Sequence, residues 1–183
     1  MFRCTLEGNI EMRPAGERWA EQFYAVIAAN RSHLLPWLPW AKEATLASTR
    51  EYYRSSGQRM AVDNGFDALI FVEGQPAGTI GFHYVNWHDG VTSIGYWLAA
   101  QYQGRGIMTR CCGRMIDYAL DYWQLHRVEI RCAVDNHRSR AIPRRLGFTE
   151  EGRLRQAMKL TTGHADVVVH GLLAQEWRAR GST

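Results

Sequence analysis

The sequence predicts a mixed α/β (α+β) fold, in which a mostly antiparallel central sheet of about seven strands is flanked by helices. Three observations predict it: an antiparallel meander over residues 67–99, a strand–helix–strand unit over residues 91–134, and a closing hairpin over residues 148–173. The middle unit requires one parallel strand pair, because a helical crossover lets the second strand run in the direction of the first. With no repeat or linker, the 183 residues predict one domain spanning residues 1–183.

The first third of the chain predicts helices around an aromatic loop. The segment from residue 34 to residue 40 reads Leu-Leu-Pro-Trp-Leu-Pro-Trp, and its two prolines exclude a regular helix. Apolar residues recur at helical spacing on either side of it. The predicted elements are a strand at residues 3–13, a helix at 17–30, the loop at 34–40 and a helix at 46–63.

From residue 67 onward the pattern is dominated by strands. Alternating apolar segments separated by Gly-containing turns predict most of them, and Gly147 marks the C-terminal end of a short helix. In order, the predicted elements are strands Asp67–Glu73, Ala77–Trp87 and Val91–Ala99, a helix at 105–122, strand Val128–Val134, helix Ser139–Leu146, and strands Phe148–Leu160 and Ala165–Leu173.

Composition places the chain among ordinary globular proteins, with 46% apolar and 22% charged residues. No apolar run approaches the roughly 20 residues of a membrane span, and the first residues lack the apolar run of a signal peptide, so we expect a cytoplasmic protein with no membrane association. A net charge of +4 fits a polyanionic cofactor or a nucleic-acid surface and does not choose between them. Since no basic run is interleaved with aromatic residues, direct nucleic-acid binding is not predicted.

The four cysteines predict neither a disulfide nor a metal site. Cys111 and Cys112 are adjacent within a predicted helix, and neither Cys4 nor Cys132 forms a Cys-x-x-Cys pair. We interpret them as small buried residues in a reducing compartment and expect no metal.

A glycine-rich loop carries the strongest local signal for a ligand. Gln101-Tyr102-Gln103-Gly104-Arg105-Gly106 joins a predicted strand to a predicted helix. Glycines let backbone N–H groups approach an anion, and the helix start adds unpaired N–H groups. A P-loop would need Gly-Lys-Ser/Thr, and a dinucleotide fingerprint would need a third glycine where Thr109 stands. The loop itself leaves two interpretations open: a phosphate cradle, or a glycine turn entering a helix.

Two motifs together resemble the GNAT family of N-acetyltransferases. The first is Ile94-Gly95-Tyr96-Trp97-Leu98 followed by the glycine loop and Ile107-Met108-Thr109, which is similar to the family's acetyl-CoA motif. The second is Asn136-x-x-Ser139, then Leu146-Gly147-Phe148 and Glu151-Gly152, which resembles the RimJ/RimL group that acetylates ribosomal-protein N-termini. The resemblance extends over about residues 5–177 and implies the GNAT (acyl-CoA N-acyltransferase) fold.

The resemblance also implies where acetyl-CoA, the cosubstrate, binds. The pantetheine arm is expected to pair with backbone groups as an added strand would, and the pyrophosphate to rest on the loop and first helical turn. Asn136 and Ser139 are expected near the thioester, with Asn136 as a pantetheine ligand. The implied cofactor-binding residues are Trp97, Leu98, Ala99, Gln103, Gly104, Arg105, Gly106, Ile107, Met108, Thr109, Asn136 and Ser139.

Acetyl transfer needs a neutral amine, an oxyanion donor and a proton for the departing thiolate. The resemblance implies that a backbone N–H near Trp97 or Leu98 is the oxyanion donor and that Ser139 donates the proton. Ser139 can equally begin the short helix as its N-cap. Met158 stands where some relatives have a glutamate base, so no general base is assigned, although Glu150, Glu151, Asp166, His83 and His164 lie nearby in the predicted fold.

The missing base favours an acceptor that is easily deprotonated. An α-amino group of pKa 7.7–8.0 is about 10–17% neutral at pH 7, against about 0.04% for a lysine side chain. The difference corresponds to roughly 3.5 kcal/mol. A protein N-terminus is therefore the expected acceptor. A small amine (polyamine, amino acid or aminoglycoside) and a non-catalytic acetyl-CoA sensor are the alternatives, and a homodimer is left open.

Aromatic residues supply the candidate acceptor pocket. Trp37 and Trp40 lie in the Pro-broken loop, where packing of a helix face does not explain them. The other candidates lie on predicted strands, where aromatic residues are more often part of the core. The predicted pocket contains Trp37, Trp40, Tyr84, Trp87 and Tyr96, with Phe82 as a further member.

Overall fold

The computed structural model describes residues 3–181 and contains one twisted sheet of eight strands in the order β1-β2-β3-β4-β5-β6-β8-β7. Six of the seven neighbouring pairs are antiparallel, and only β5 and β6 run parallel, as the strand–helix–strand unit predicts. The strands are β1 Cys4–Leu6, β2 Ile10–Pro14, β3 Asp67–Val72, β4 Gln75–Asn86, β5 Val91–Leu98, β6 Arg127–Ala133, β7 Thr149–Leu160 and β8 Gly163–Leu173.

Helices cover both faces of the sheet. They are α1 Ala20–Ala29, α2 Arg31–Leu34, α3 Leu46–Ala61, α4 Ile107–Asp117, α5 His137–Leu146 and α6 Ala174–Gly181, with short 3-10 turns at Glu17–Trp19, Pro39–Lys42 and Ala100–Tyr102. None of the helices in residues 3–181 is both long and apolar enough to cross a membrane.

Besides the short helix α2 and small shifts at the ends of elements, three local features differ from the sequence prediction. The first predicted strand is a hairpin, because Gly8 and Asn9 adopt φ of 77° and 53° and turn the chain between β1 and β2. This turn accounts for eight strands instead of about seven. The helix predicted over 105–122 ends as α-helix at Asp117 and continues as a π-helical turn, Tyr118–Tyr122. The helix predicted to begin at Ser139 begins at His137.

Alternation along the strands separates two apolar layers. One face of the sheet packs against α4 through fully buried residues such as Ile80, Ile94 and Met115. The opposite face packs against α1 and α3 around Phe23, with Phe71 in edge-to-face contact at a ring-centroid distance of 5.4 Å. The two layers fix β5 between them, and the candidate site lies along that strand.

Candidate active site

The sheet opens between β5 and β6. The two strands pair at only three positions, from Val91 with Arg127 to Ser93 with Glu129. Beyond Ser93, β5 stays paired with β4 as far as Leu98, and β6 stays paired with β8 as far as Ala133. The strands therefore splay into a V-shaped gap, as the resemblance implies.

The backbone of β5 offers hydrogen-bonding groups to this gap at alternate residues. The Ala99 N–H donates to the Ala77 carbonyl at 2.8 Å, and the Ala99 carbonyl accepts from Tyr102 N–H at 3.0 Å, so both backbone groups of Ala99 are engaged. The Trp97 carbonyl also lies against β4, over Gly78. Since the two edges of a strand alternate, Tyr96 and Leu98 present their amides and carbonyls to the gap. The expectation for Leu98 fits this geometry, whereas those for Trp97 and Ala99 do not.

The glycine loop closes one end of the gap and opens α4. Gly104 and Gly106 adopt φ of 73° and 69°, a left-handed conformation that disfavours residues with side chains. Gly106 is the N-cap of α4 and has no side chain to satisfy the first N–H groups of the helix. The first turn of α4 also contains no acidic residue. Since Ile107 and Met108 bury their side chains, these residues can meet an anion only through their backbone N–H groups.

Polar side chains hold the glycine loop in place from both faces of the sheet. The Gln103 amide nitrogen lies 2.9 Å from His33 Nε2 on α2, and the Gln103 carbonyl oxygen accepts from Arg138 of α5 at 2.6 Å. The buried Asn30 side chain accepts from Ala100 N–H at 2.9 Å. Arg105 faces outward to Glu73, with an N–O distance of 3.8 Å. Neither His33 nor Arg138 was singled out from the sequence, because only the fold brings them to the loop.

Inside the gap, three residues beyond the last β5–β6 pair, α5 presents Ser139 to Tyr96 of β5. Its N-cap is Asn136, whose side chain accepts from Ser139 N–H at 3.2 Å, so the alternative that Ser139 is the cap is wrong. The Ser139 hydroxyl is thereby left for other contacts. It donates to the Tyr96 phenolic oxygen at 3.3 Å, and Tyr96 O–H donates to the Ser139 carbonyl at 3.0 Å.

Cys132, at the end of β6, completes this polar cluster. Its Sγ lies 3.1 Å from Ser139 Oγ. Burial raises the pKa of the Cys132 thiol, against a smaller lowering by Ser139 and Tyr96, and burial also raises the pKa of Tyr96 well above its usual range. All three groups are therefore protonated at neutral pH and can donate a proton or hydrogen bond. The sequence marked Ser139 alone as a proton donor, because Tyr96, although it belongs to the first motif, meets Ser139 only in the folded chain.

The structure divides the predicted acceptor pocket. Trp40, with 45% of its surface exposed, packs edge-to-face on Trp97 at 6.4 Å between ring centroids. Trp87 follows β4 at the hairpin, about 20 Å along β5 from Trp97, and packs on Trp123 at 5.8 Å. Phe82 is fully buried in the core. Tyr96 contacts Ser139 of α5, Tyr84 is 40% exposed on β4, and Trp37 is half-buried.

Carboxylates on β7 and β8 are held by arginines. Arg144 and Arg140 lower the pKa of Glu150, Arg127 lowers that of Glu151, and the Gln156 N–H with Arg153 lowers that of Asp166. Met158 is half-buried on β7, opposite Ala165. Each of these three carboxylates is thus a weak base at neutral pH. No group of three or more metal-binding side chains occurs in residues 3–181.

Comparison with known proteins finds the same domain. Residues 9–149 match the family described as "Acetyltransferase (GNAT) domain". A Bacillus subtilis protein named "Putative ribosomal N-acetyltransferase YdaF" is 36% identical, with 97% of this chain and 98% of that protein aligned. The ribosomal-protein-serine acetyltransferase of Escherichia coli is 29% identical over 87% of this chain and 89% of its own.

The solved structures agree with the sequence comparison. A RimL structure, described as a ribosomal L7/L12 alpha-N-protein acetyltransferase in complex with coenzyme A, superposes with a TM-score of 0.91. It is 26% identical, and 96% of this chain and 99% of that chain are covered.

Proposed function

The chain belongs to the GNAT acetyltransferase family and is an N-acetyltransferase; within that class, we propose that it transfers the acetyl group of acetyl-CoA to the N-terminal α-amine of a protein, such as a ribosomal protein. The observation that carries the proposal is the V-shaped gap, which has an anion-binding loop at one end and the Ser139–Tyr96–Cys132 cluster at the other. We also propose that this reaction takes place in the cytoplasm, in one domain formed by the whole chain.

The gap fits acetyl-CoA along its length. The left-handed Gly104 and Gly106 and the first N–H groups of α4 fit a pyrophosphate. The free amides and carbonyls of Tyr96 and Leu98 fit the amides of a pantetheine arm, which would pair with β5 as an added strand. Arg138, held by Gln103, adds positive charge at the mouth of the gap.

The Ser139 hydroxyl is proposed to give its proton to the departing thiolate. Tyr96 is hydrogen-bonded to Ser139 on the same face of β5 and can replace that proton. The Leu98 N–H, which faces the gap, is the proposed oxyanion donor. Asn136 is proposed to act indirectly, because its side-chain oxygen caps α5 and so fixes the orientation of Ser139.

The acceptor is inferred from proton chemistry and from the relatives. Since arginines hold the carboxylates on β7 and β8, the site favours an amine that is already partly neutral at pH 7. The relatives named as acting on ribosomal proteins fit such an acceptor. Trp40 and Trp97, beside the gap on the α1 and α3 face, are proposed to hold the first residues of the peptide.

One assay tests the acceptor. Release of the CoA thiol is followed with N-terminal peptides, peptides that contain lysine but are blocked at the N-terminus, free lysine, spermidine and an aminoglycoside, while acetyl-CoA binding is measured by calorimetry. Turnover with free N-terminal peptides alone is expected. Acceleration only by small amines would refute the protein acceptor, and binding without turnover on any amine would favour an acetyl-CoA sensor.

A further inference from the structure

We propose that His83 is the general base that takes the proton from the acceptor amine, an inference that rests on the acetyl transfer proposed above. The side chain at position 158, a thioether, cannot accept a proton at neutral pH. The imidazole of His83 lies on β4, on the face of the sheet opposite to Ser139. The base, His83, and the proton donor, Ser139, would therefore act from opposite faces of β5.

A pair of glycines places the imidazole. Gly81 and Gly95 are directly opposite each other on β4 and β5, and Asp67 of β3 pairs with Gly81. A Cβ on Gly95 would overlap His83 Nε2, and a Cβ on Gly81 would overlap Asp67 Oδ1. Because neither glycine has a side chain, the imidazole lies directly over β5 and the carboxylate lies over the adjacent strand.

Gly95 marks the place where the reaction would occur. It lies two residues beyond Ser93, the last residue of β5 that pairs with β6. It immediately precedes Tyr96, whose side chain reaches Ser139 on the other face. A thioester held between Leu98 and Ser139 would therefore have His83 beside it on the α1 and α3 face of the sheet. Trp97 and Trp40 lie on the same face.

A β-bulge directs His83 to this position. The register of β4 against β5 shifts between Phe82 and Val85, so that His83 and Tyr84 together lie opposite a single residue of β5, Ser93. Such bulges bend a strand and re-aim a side chain, and they are frequent beside active sites.

Burial favours the neutral form of the His83 ring, and the two charges nearest to it act in opposite directions. Burial lowers its pKa, Asp67 opposes that shift, and Arg59 adds to it. Asp67 on β3 is in turn held by Arg59 and Tyr52 of α3, at 2.6 Å and 2.9 Å. The ring retains contact with solvent, so a proton taken from the substrate can leave to water.

The β6 carboxylate that pairs with this part of β5 is already engaged by two arginines. Glu129 pairs with Ser93 in register, but its oxygens accept from Arg127 at 2.9 Å and from Arg131 at 2.8 Å. Two guanidinium groups therefore occupy both oxygens of this carboxylate.

The proposed step is balanced with the groups already described. The amine nitrogen forms a bond to the thioester carbonyl carbon and releases a proton to His83 Nε2. The carbon–sulfur bond then breaks, and the thiolate takes a proton from Ser139 Oγ. His83 returns its proton to water, and the Ser139–Tyr96 pair recovers one, so the products are an N-acetyl amine and the CoA thiol.

Paired variants test the inference in the full chain. His83→Gln keeps a polar side chain without a base, His83→Ala leaves space for an added imidazole, and His88→Gln is the control on an exposed turn histidine. With an N-terminal peptide at pH 7, we expect both His83 variants to lose about 100-fold in kcat with acetyl-CoA affinity within twofold of wild type. Added imidazoles should restore kcat to His83→Ala, and more basic imidazoles should restore more of it. The His88→Gln control should have the kcat of wild type.

Two results separate this inference from the proposed function. An active wild type with His83 variants within twofold of it would overturn only the role of His83, as would a loss of activity in His83→Ala that no added imidazole reverses. A wild type that binds acetyl-CoA and acetylates no amine would overturn the proposed function, and with it this inference. Circular dichroism of each variant establishes that a loss of activity is not a loss of fold.

Discussion

The hydroxyl of Ser139 on α5 donates to the phenolic oxygen of Tyr96 on β5 at 3.3 Å. Tyr96 O–H in turn donates to the Ser139 backbone carbonyl at 3.0 Å. The serine is therefore not a helix cap, since Asn136 caps α5. The Tyr96 hydroxyl satisfies a carbonyl of α5 that Pro143, which has no N–H, cannot. The two hydroxyls form a proton-donating pair on one face of the proposed cofactor strand.

Ser139→Ala should slow acetyl transfer without weakening cofactor binding. Removal of the proposed proton donor is expected to lower kcat by about 10- to 100-fold, because Tyr96 remains as a poorer donor. Acetyl-CoA affinity, measured by calorimetry, should stay within about threefold. The two hydroxyls act as one unit. The double variant Ser139→Ala/Tyr96→Phe should therefore lose less kcat than the product of the fold-losses of the two single variants. An unchanged kcat in Ser139→Ala would contradict the assignment.

Gly104→Val should weaken acetyl-CoA binding through backbone strain. No atom lies within 4 Å of a Cβ built on Gly104, but its φ of 73° is strongly unfavourable for a β-branched residue. A strain of 1–2 kcal/mol would shift the loop and cost about tenfold in affinity. Gly152→Val on β7 is the matched control, because a Cβ built on Gly152 also has no atom within 4 Å and the Gly152 backbone is not left-handed. Equal affinities of the two variants would refute the anion cradle.

Gly95→Ala should displace His83 at little cost to folding. The added methyl group would overlap the end of the imidazole, which can rotate away, and not a backbone atom. The expected result is a loss of about 10-fold or more in kcat with a melting temperature within a few degrees of wild type, measured by thiol release and thermal unfolding. In the His83→Ala background the same substitution should have little further effect on kcat. A full additional loss there would mean that Gly95 acts independently of His83.

The elements around the cofactor were predictable because each has a local signal. Gly104 and Gly106 mark a left-handed turn before a helix, and strand alternation marks β5. In the structure the Ala99 N–H bonds to the Ala77 carbonyl of β4. By the same alternation, the backbone groups that face the gap are those of Tyr96 and Leu98, not those of Trp97 and Ala99. That assignment depends on which edge of β5 is paired, and the sequence does not reveal it.

The acceptor face was much less predictable, for a physical reason. The position of His83 depends on a bulge and on two glycines that meet across strands, and both are properties of register. Trp87 and Trp40 have similar exposure and the same residue type, yet they lie at opposite ends of β5. The sequence alone could propose both for the pocket and could not separate them.

Trp40→Ala should weaken the peptide acceptor and leave the cofactor unaffected. Loss of the exposed indole beside Trp97 is expected to raise KM for an N-terminal peptide roughly 5- to 10-fold, while acetyl-CoA affinity stays unchanged. Trp87→Ala is the matched control, with 49% exposure against 45% for Trp40. If the Trp87 variant alone raises KM, the acceptor enters from the hairpin end and the proposed pocket is misplaced.

Acid should destabilise the fold in part through His170. This side chain is fully buried on β8, with its Nε2 3.9 Å from Glu150 Oε2. Burial lowers its pKa, while Glu150 and the Ile130 backbone oppose that shift and Arg140 and Arg144 add to it. The unfolded chain therefore takes up a proton near pH 6.5, whereas the folded chain takes it up only at a lower pH. The free energy of unfolding consequently falls as the pH drops below about 6.5.

The contribution of one such group to the slope is at most about 1.4 kcal/mol per pH unit. Urea unfolding between pH 7.5 and 5 should show a shallower loss of stability for His170→Gln than for wild type, even though the variant is less stable at pH 7.5. His164→Gln, an exposed histidine on the β7–β8 turn, serves as the control and should keep the wild-type slope. Parallel profiles for wild type and His170→Gln would show that His170 takes up its proton equally in both states.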